Sequence, residues 1–333
     1  MPNDRLGRPL TDLRISVTDR CSFRCVYCMP REVYDDHQYL PRSEILTYDE
    51  IHTVASAAAS LGVRRIRLTG GEPLLRRGLS NLVEMLASID AIEDIAVTTN
   101  GQFLVDQAPA LAAAGMDRVT VSLDGIDDDV VRKLIDTDVP VQTILDGIDA
   151  AASAGLGPIR INSVVRKGWN DDQVLPLVEH FRFSGHTVRF IEFMDVGTSN
   201  QWNLDDVVQS AELVALIGKT WPMKPLTKAR PSEVADTYRF DDGGGDVGFI
   251  SSVSQPFCGD CSRLRLSAEG SLYTCLFATQ GSDLKALLRS DPSEEDVAEA
   301  IRTVWHARED QYSELRGAVP IADPRIEMSY IGG

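Results

Sequence analysis

LRISVTDRCSFRCVYC, residues 13–28, joins a short strand pattern to three cysteines in one octapeptide. The first six residues alternate apolar and polar side chains and include β-branched ones, which predicts a strand over 13–18. Cys21, Cys25 and Cys28 follow directly, so we expect the three thiols in the loop at the carboxyl end of that strand. This one segment therefore predicts the first strand of the fold and places a group of reactive cysteines directly after it.

Five more strand patterns follow, and segments with apolar residues at helical spacing separate them. The strands are expected at 64–69, 94–99, 118–123, 158–165 and 187–193. The helical segments are expected at 48–62, 78–89, 103–115, 130–155 and 171–183, with Gly62, Gly115 and Gly155 at helix ends. Six βα units predict an α/β fold, a partial (β/α)6 barrel of the TIM type that is two units short of closure.

The second part of the chain has a different character and is expected to cover the open side of the barrel. A helix is predicted at 205–219, and WPMKPLTKARP, residues 221–231, is interpreted as a linker. Beyond it come short strand patterns, two helical stretches near 282–312 and an irregular tail. We therefore divide the chain into a barrel domain, residues 1–222, and a mixed C-terminal domain, residues 223–333.

Composition narrows the class of protein. The 333 residues are 43% hydrophobic and 25% charged, which is enough apolar material for a substantial core. A net charge of −17 argues against general nucleic-acid or membrane binding, which needs a basic surface. No signal peptide and no apolar run of about 20 residues is found, so we expect a cytoplasmic protein.

The six cysteines form two groups of three. Cys21, Cys25 and Cys28 make the first triad, and Cys258, Cys261 and Cys275 make the second. In a large chain with no signal peptide, such thiols stay reduced and favour metal binding over disulfides. A structural zinc site needs four ligands, so a zinc knuckle would have to borrow a distant one. Three thiolates on a four-iron cluster instead leave one iron open to an outside ligand.

The other unusual motifs also fall at strand ends. TGGEP (69–73), TTNG (98–101), SLDG (122–125) and EFMDVG (192–197) follow the second, third, fourth and sixth predicted strands. Functional groups of parallel α/β folds gather at the carboxyl ends of the strands. We therefore expect all these motifs to face one site together with the first cysteine triad.

Cys-x3-Cys-x2-Cys with Tyr27 before its last cysteine, followed by GGEP after the next strand, resembles the radical S-adenosylmethionine (SAM) superfamily. The resemblance implies a [4Fe-4S] cluster on the first triad, with SAM chelated by its open iron. In that superfamily the reduced cluster cleaves SAM to give a 5′-deoxyadenosyl radical. Matching of motifs carries the SAM contacts onto Tyr27, Gly71, Ser122 and Met194.

The second triad lies in PFCGDCSRLRLSAEGSLYTC, residues 256–275. Together with LRISVTDRC, RFIEFMDVG and the terminal SYIGG, it resembles the GTP 3′,8-cyclase family of molybdenum cofactor biosynthesis over nearly the whole chain. The resemblance implies a second [4Fe-4S] cluster whose open iron meets the guanine of GTP. It also implies conversion of GTP to 3′,8-cyclo-7,8-dihydro-GTP.

The resemblance places GTP contacts on Arg14, Arg67, Thr98, Arg160, Arg263, Leu264 and Arg265, and a catalytic role on Arg189. For Thr98, the TTNG motif also offers its neighbour Thr99. Physical chemistry is consistent with the arginine assignments, because arginine binds phosphate groups through two parallel hydrogen bonds and keeps its charge. Arg263 and Arg265 would share one face of a strand, and buried arginines need an anion.

The family's double-glycine tail implies that Gly332 and Gly333 insert into the active-site cavity, where only a thin backbone fits. It further implies an electron donor as a partner and transfer of the product to the next enzyme of the pathway, and it is compatible with a homodimer. Two alternatives stay open from the sequence: a radical SAM enzyme that modifies peptides, and a non-catalytic iron–sulfur or zinc scaffold.

Overall fold

The computed structural model describes residues 1–316 and 325–332. Within these residues twelve strands form one sheet, and helices cover its outer face. The strands are β1 Asp12–Ser16, β2 Arg65–Thr69, β3 Asp94–Thr99, β4 Arg118–Ser122, β5 Arg160–Val165, β6 Thr187–Glu192, β7 Met223–Pro225, β8 Asp236–Phe240, β9 Asp246–Ile250, β10 Arg263–Leu266, β11 Ser271–Tyr273 and β12 Ser282–Asp283. The helices are α1 Arg31–Tyr34, α2 Tyr48–Ser60, α3 Leu79–Ala87, α4 Leu104–Ala113, α5 Asp128–Ile135, α6 Val141–Ser153, α7 Val174–Phe181, α8 Ser210–Thr220, α9 Lys285–Leu288, α10 Glu294–His306, α11 Tyr312–Leu315 and α12 Met328–Ile331.

Strands β1 to β6 lie side by side in chain order, and each pairs in parallel with the next. The six predicted βα units are therefore confirmed, with strand bounds within two residues of the predicted ones. The three glycines that were expected at helix ends all have positive φ, at 115°, 96° and 88° for Gly62, Gly115 and Gly155. Glycine suits these positions because it has no Cβ to clash in a left-handed turn.

Local sequence explains where the main helices begin. Thr47 Oγ1 accepts a hydrogen bond from Glu50 N, and Glu50 Oε2 accepts one from Thr47 N, so this capping box starts α2. Ser293 and Asp296 make the same arrangement at α10. These two helices pack against each other on the outside of the sheet. Their apolar faces join the buried core that also contains the outward side chains of the strands.

The C-terminal part of the chain extends the sheet at both edges. β10 pairs in parallel with β1, and β9 pairs in parallel with β6. The full order, β12-β11-β10-β1-β2-β3-β4-β5-β6-β9-β8-β7, has two free ends among the described residues, so the barrel is partial, as predicted. Two expectations differ in detail: the helix predicted at 205–219 begins later, at Ser210, and part of the expected linker is strand β7, paired with β8.

None of the helices in the described part of the chain combines the length and apolar character that crossing a membrane requires.

Candidate active site

A cavity of about 340 Å³ lies at the carboxyl ends of the barrel strands. Its wall includes all six cysteines of both triads. Most of the other predicted site residues also line it: Arg14, Tyr27, Arg67, Gly71, Thr98, Ser122, Arg189, Met194, Arg263 and Arg265. The sheet order explains the meeting of the triads, because β10 is hydrogen-bonded to β1 and so brings the second triad beside the first.

The loop of the first triad is held close to strand β2. An added Cβ on Gly71 would lie 2.3 Å from the carbonyl oxygen of Arg20 and 3.0 Å from the backbone nitrogen of Cys21. Real Cβ atoms do not approach backbone so closely, so only glycine at 71 allows the cysteine loop to lie here. The GGEP motif therefore has a packing role directly beneath the cysteines.

Tyr27 is fixed by a residue from another strand end. Its hydroxyl donates to Asp124 Oδ2 at 2.5 Å, and Asp124 Oδ1 accepts from Val164 N at 2.8 Å. Burial raises the pKa of Asp124 to about 6, although both hydrogen bonds lower it. One carboxylate thus ties the cysteine loop to the ends of β4 and β5.

The thiols of the first triad lie close enough to influence one another. Burial raises the pKa of Cys25 well above its ordinary value, and the neighbouring charges of Cys21 and Cys28 raise it further. Burial also raises the pKa of Cys21 to about 12. Thiolates that repel one another in a buried site are stabilised by a bound cationic centre, so this donor set fits an iron–sulfur cluster.

In the second triad, Cys258–Asp260 is a single 3-10 turn that ends at Cys261. Burial raises the pKa of Cys261, but the charges of Arg263 and Arg308 outweigh it and bring that pKa down to about 6. Burial raises the pKa of Cys275 to about 11, and the charge of Cys261 adds to that rise. Because the lowered pKa of Cys261 favours its thiolate form, which is the form that binds metal, the second triad also suits a cluster. No set of three or more His, Cys, Asp or Glu side chains among the described residues is placed to bind a single metal ion directly.

Three arginines form a row across the floor of the cavity. Arg14 lies directly between Arg265 and Arg67 in the register of β10, β1 and β2. Because alternate residues of a strand share a face, Arg263 and Arg265 point to the same side. Burial lowers the pKa of Arg14 well below its usual value, and repulsion from Arg265, Arg263 and Arg67 lowers it further. Such a row needs an anion to be stable.

In the layer of residues beneath this row, carboxylates neutralise the charges of Arg65 and Arg118. Asp12 accepts two hydrogen bonds from Arg65, at 2.7 and 2.8 Å, and Asp94 pairs with Arg118. Burial alone would raise the pKa of Asp12, but Arg65, Ser262 and Thr11 donate to it and bring the pKa to about 2. The layer beneath the arginine row is therefore made of ion pairs, while the row itself has none with the residues that the structure describes.

Over residues 1–316 and 325–332, no carboxylate lies within 4.0 Å of any of six predicted arginines. They are Arg14, Arg67, Arg160, Arg189, Arg263 and Arg265. Arg67 donates instead to Thr120 Oγ1 at 3.0 Å and Thr98 Oγ1 at 3.4 Å. Burial and repulsion from other arginines lower the pKa of Arg189 to about 9.

Two predicted GTP residues do not line the cavity. Leu264 is completely buried and belongs to the hydrophobic core, because strand alternation turns it away from the face of Arg263 and Arg265. Arg160 stands at the start of β5, opposite Thr120, below the cavity wall. Thr98 and its neighbour Thr99 both line the cavity, so the structure leaves that alternative open.

The C-terminal tail reaches the same site. Arg265 Nη1 donates to the carbonyl oxygen of Gly332, and an added Cβ on Gly332 would lie 2.0 Å from Thr69 Oγ1. Met328 and Ser329 line the cavity, and Glu327 accepts hydrogen bonds from the 198–199 backbone. Gly333, which was predicted to insert as well, lies outside the described residues.

Sequence reasoning missed several residues of the site. Glu72 is buried, lines the cavity and accepts from Thr99 Oγ1 and Asn100 N, both at 2.7 Å. Burial raises its pKa to about 7. Glu72 and Asp124 belong to the GGEP and SLDG motifs, so their strand-end positions were a usable signal. Arg308 follows a surface helix, and nothing in its sequence surroundings points to the cavity.

Comparison with known families agrees with this geometry. Residues 15–181 match the Radical SAM superfamily, and residues 186–314 match the family Molybdenum Cofactor Synthesis C. Among curated proteins, the chain is 51% identical over 356 residues to a GTP 3′,8-cyclase of Acidothermus cellulolyticus, covering 99% of this chain and 98% of that protein. It is 50% identical over 331 residues to one of Xanthomonas axonopodis pv. citri, with the same coverage of both chains. A Staphylococcus aureus GTP 3′,8-cyclase is 47% identical over 335 residues, covering 99% and 98%.

Solved structures share the fold at much lower identity. Native anSMEcpe with bound AdoMet and Cp18Cys peptide has a TM-score of 0.55 at 12% identity, covering 96% of this chain and 94% of that chain. Native anSMEcpe with bound AdoMet has a TM-score of 0.54 at 14% identity, covering 86% and 82%. These likenesses concern the fold alone.

An open parallel barrel with a cysteine triad after its first strand and a glycine pair after its second is the architecture of a radical SAM protein. Within that class, the relatives that match over nearly the full length identify the family. The chain belongs to the GTP 3′,8-cyclase family.

Proposed function

We propose that the chain catalyses the first step of molybdenum cofactor biosynthesis, the SAM-dependent cyclisation of GTP to 3′,8-cyclo-7,8-dihydro-GTP. The observation that carries this proposal is that two cysteine triads and a row of arginines line one cavity, and that these arginines have no carboxylate partner among residues 1–316 and 325–332. Clusters on the triads and an anion on the arginines would thereby share one cavity. In the reaction the ribose C3′–H bond is broken, the hydrogen atom goes to the 5′-deoxyadenosyl radical, and a C3′–C8 bond forms to the guanine. One electron from the electron donor and one proton then give the dihydro product.

Cys21, Cys25 and Cys28 would hold the first [4Fe-4S] cluster, and Cys258, Cys261 and Cys275 the second. When bound and reduced, the first cluster supplies the electron that cleaves SAM and so generates the radical that takes the ribose hydrogen. The chain's own contribution is to place SAM and GTP against each other and to exclude water from the reacting atoms.

Tyr27, Gly71, Ser122 and Met194 are proposed to bind SAM. Their positions support this role, since all four line the cavity that also contains the first triad. Asp124 would keep Tyr27 in place through the 2.5 Å hydrogen bond. Gly71 would act by letting the cysteine loop approach strand β2.

The arginine row is proposed to bind the triphosphate of GTP. Arg14, Arg67 and Arg265 present donors side by side, and Arg263 lies at the second triad, where the guanine would bind. Thr98 would support Arg67, and Arg189 would act near the reacting atoms. Arg160 and Leu264 remain predictions that the cavity lining does not support. Leu264 lies in the hydrophobic core, so it could contribute only a backbone group.

The tail is proposed to form part of the cavity wall. Its support is the hydrogen bond from Arg265 to the Gly332 carbonyl, which ties the terminal residues to the proposed triphosphate site. The domain boundary at 222/223 also stays a proposal, because the strands of the second part pair with both edges of the barrel sheet.

We further propose a cytoplasmic location, where the thiols stay reduced, together with an electron donor and a receiving enzyme for the reactive product. The peptide-modifying alternative gains no support from the solved structures, since 12–14% identity relates them by fold only. The scaffold alternative is weakened by the arginine row, which no carboxylate of the described residues neutralises, because a scaffold has no use for an anion pocket.

The test is anaerobic reconstitution followed by incubation with SAM, dithionite and GTP. We expect GTP-dependent formation of 5′-deoxyadenosine and of the cyclised nucleotide, detected by chromatography and mass spectrometry. Variants Arg263→Met and Arg265→Met are expected to lose the cyclised product yet still cleave SAM without GTP. Normal GTP cyclisation by both variants would overturn the substrate-site assignment, and no product from the wild type would overturn the function.

A further inference from the structure

The second cysteine triad rests on a buried ionic network that the proposed reaction does not use. The carboxylate oxygen Asp4 Oδ2 accepts from Arg8 Nε at 2.6 Å and from Arg308 Nη1 at 3.3 Å. The side chain of Asp4 is 0% exposed and those of the two arginines are 2% exposed. Asp4 and Arg308 are 304 positions apart in the chain, so the network joins its two ends.

Both arginines also donate hydrogen bonds to the backbone of the turn that contains Cys258 and Cys261. Arg8 Nη1 donates to the carbonyl oxygen of Cys258 at 2.8 Å, and Arg308 Nη1 donates to that of Cys261 at 2.7 Å. The turn itself is closed by one hydrogen bond, from Cys261 N to Cys258 O at 3.2 Å. A one-turn 3-10 segment has little rigidity of its own, so the charged donors fix both cysteine carbonyls.

The network is itself held rigidly. Trp305 is fully buried; its Nε1 donates to the Arg8 carbonyl oxygen at 3.1 Å, and the Arg308 guanidinium lies 4.6 Å from the centre of its ring. Arg8 Nη1 also donates to the carbonyl oxygen of Asp310 at 2.8 Å. Neither arginine is therefore free to move without disturbing helix α10.

We propose that Asp4, Arg8 and Arg308, the Asp4 network, are positioning residues that hold Cys258 and Cys261 at the spacing the second cluster needs. This inference rests on the proposed function, which places a cluster on that triad. A cluster with only three protein ligands depends strongly on their preset geometry, and groups that orient metal ligands generally affect metal affinity about 10–100-fold.

The test measures how fast iron is lost from the reconstituted protein to a chelator, with electron paramagnetic resonance following each cluster. Asp4→Asn removes the charge that both arginines share. We expect iron release from the second cluster to be about tenfold faster or more, while the first cluster and SAM cleavage without GTP are retained. The first cluster thereby reports that the barrel is still folded.

Arg308→Lys is the second variant, in case Asp4→Asn does not fold. Lysine keeps the positive charge near Asp4 but cannot reproduce the planar donor set that reaches the Cys261 carbonyl. We expect the same selective loss of the second cluster, to a smaller degree. The matched control is Arg5→Gln, which breaks an ion pair between the same two segments, Arg5 with Glu309, whose side chains are 60% and 70% exposed.

Unchanged iron release and spectra in both Asp4→Asn and Arg308→Lys would overturn the proposal, as would equal losses in Arg5→Gln. A wild-type protein that binds only about four irons would overturn the two-cluster function itself, and the Asp4 network's role with it. The two failures are distinguishable, because the second appears before any variant is made.

Discussion

Tyr27 and Asp124 show how single residues connect the strand ends. Tyr27 stands between two cysteines of the first triad, and its one strong hydrogen bond goes to the end of strand β4. Asp124 is satisfied on both oxygens, by Tyr27 and by Val164 N. The proposed SAM site therefore depends on one carboxylate that does not have to touch SAM.

Asp124→Asn should weaken SAM binding without removing the first cluster. The amide oxygen can still accept from Val164 N, but its NH2 group faces Tyr27 in place of a charged acceptor, so the charge-assisted hydrogen bond from the Tyr27 hydroxyl is lost. We expect a rise of about tenfold in the Kd for SAM, corresponding to about 1.4 kcal/mol, with unchanged iron content. Asp129→Asn, on the exposed first turn of helix α5, is the control, and an equal effect there would contradict the assignment.

Asp12 makes the fold sensitive to acid. Its folded-state pKa of about 2 lies below the ordinary 3.8, so its stabilising effect is complete above about pH 4 and is lost as the pH falls toward 2. The shift corresponds to about 2 kcal/mol. Urea unfolding of the apoprotein at a series of pH values should show Asp12→Asn less stable at neutral pH and less dependent on pH. Asp246→Asn, from the exposed pair with Arg239, should show neither effect.

At the scale of elements, the six βα units were predictable because hydrophobic period and helix-ending glycines are local signals. The pairing of β10 with β1 and of β9 with β6 was not predictable in this way. The sequences of these short strands contain no signal that indicates which distant strand each one pairs with. Strand β7, Met223–Pro225, lies in the stretch whose prolines and lysines predict a linker. It has only three residues, two of them exposed, so it has no apolar strand pattern to detect.

Gly71→Ala tests the contact between β2 and the cysteine loop. The added Cβ would displace the backbone at Arg20 and Cys21, so we expect loss of the first cluster and of SAM cleavage, with the second cluster kept. Iron content should fall from about eight to about four per chain. Gly218→Ala is the control, because its Cβ meets nothing within 4 Å in helix α8, and it should be neutral or stabilise by about 0.5–1 kcal/mol. Full iron content in Gly71→Ala would refute this role.

At the scale of the whole molecule, the sheet brings residues from both ends of the chain to one cavity. The motifs at strand ends allowed most of its lining to be predicted, because parallel strands share one carboxyl edge. Arg8, Arg308 and Asp4 could not be predicted, since buried ion pairs are chosen by packing between distant segments and leave no local pattern.

Repulsion within the arginine row should lower the free energy of unfolding of the protein when no GTP is bound. Arg14→Met removes one of three adjacent charges that line the cavity and have no carboxylate partner in the described part of the chain. We expect the apoprotein to become more stable by about 1 kcal/mol and the Kd for GTP to rise by about tenfold or more. Thermal unfolding with and without GTP measures both, and Arg239→Met on the exposed edge is the control. A less stable apoprotein with normal GTP binding would contradict an anion site.

The central claim is that two clusters, each with an open iron, face one cavity and bind SAM and GTP. Iron analysis of the reconstituted chain, combined with electron–nuclear double resonance using isotope-labelled SAM and GTP, tests it most directly. We expect about eight irons per chain, coupling from SAM at the first cluster and from guanine at the second. Zinc in either triad, a fourth protein ligand on either cluster, or coupling of both molecules to the same cluster would contradict it.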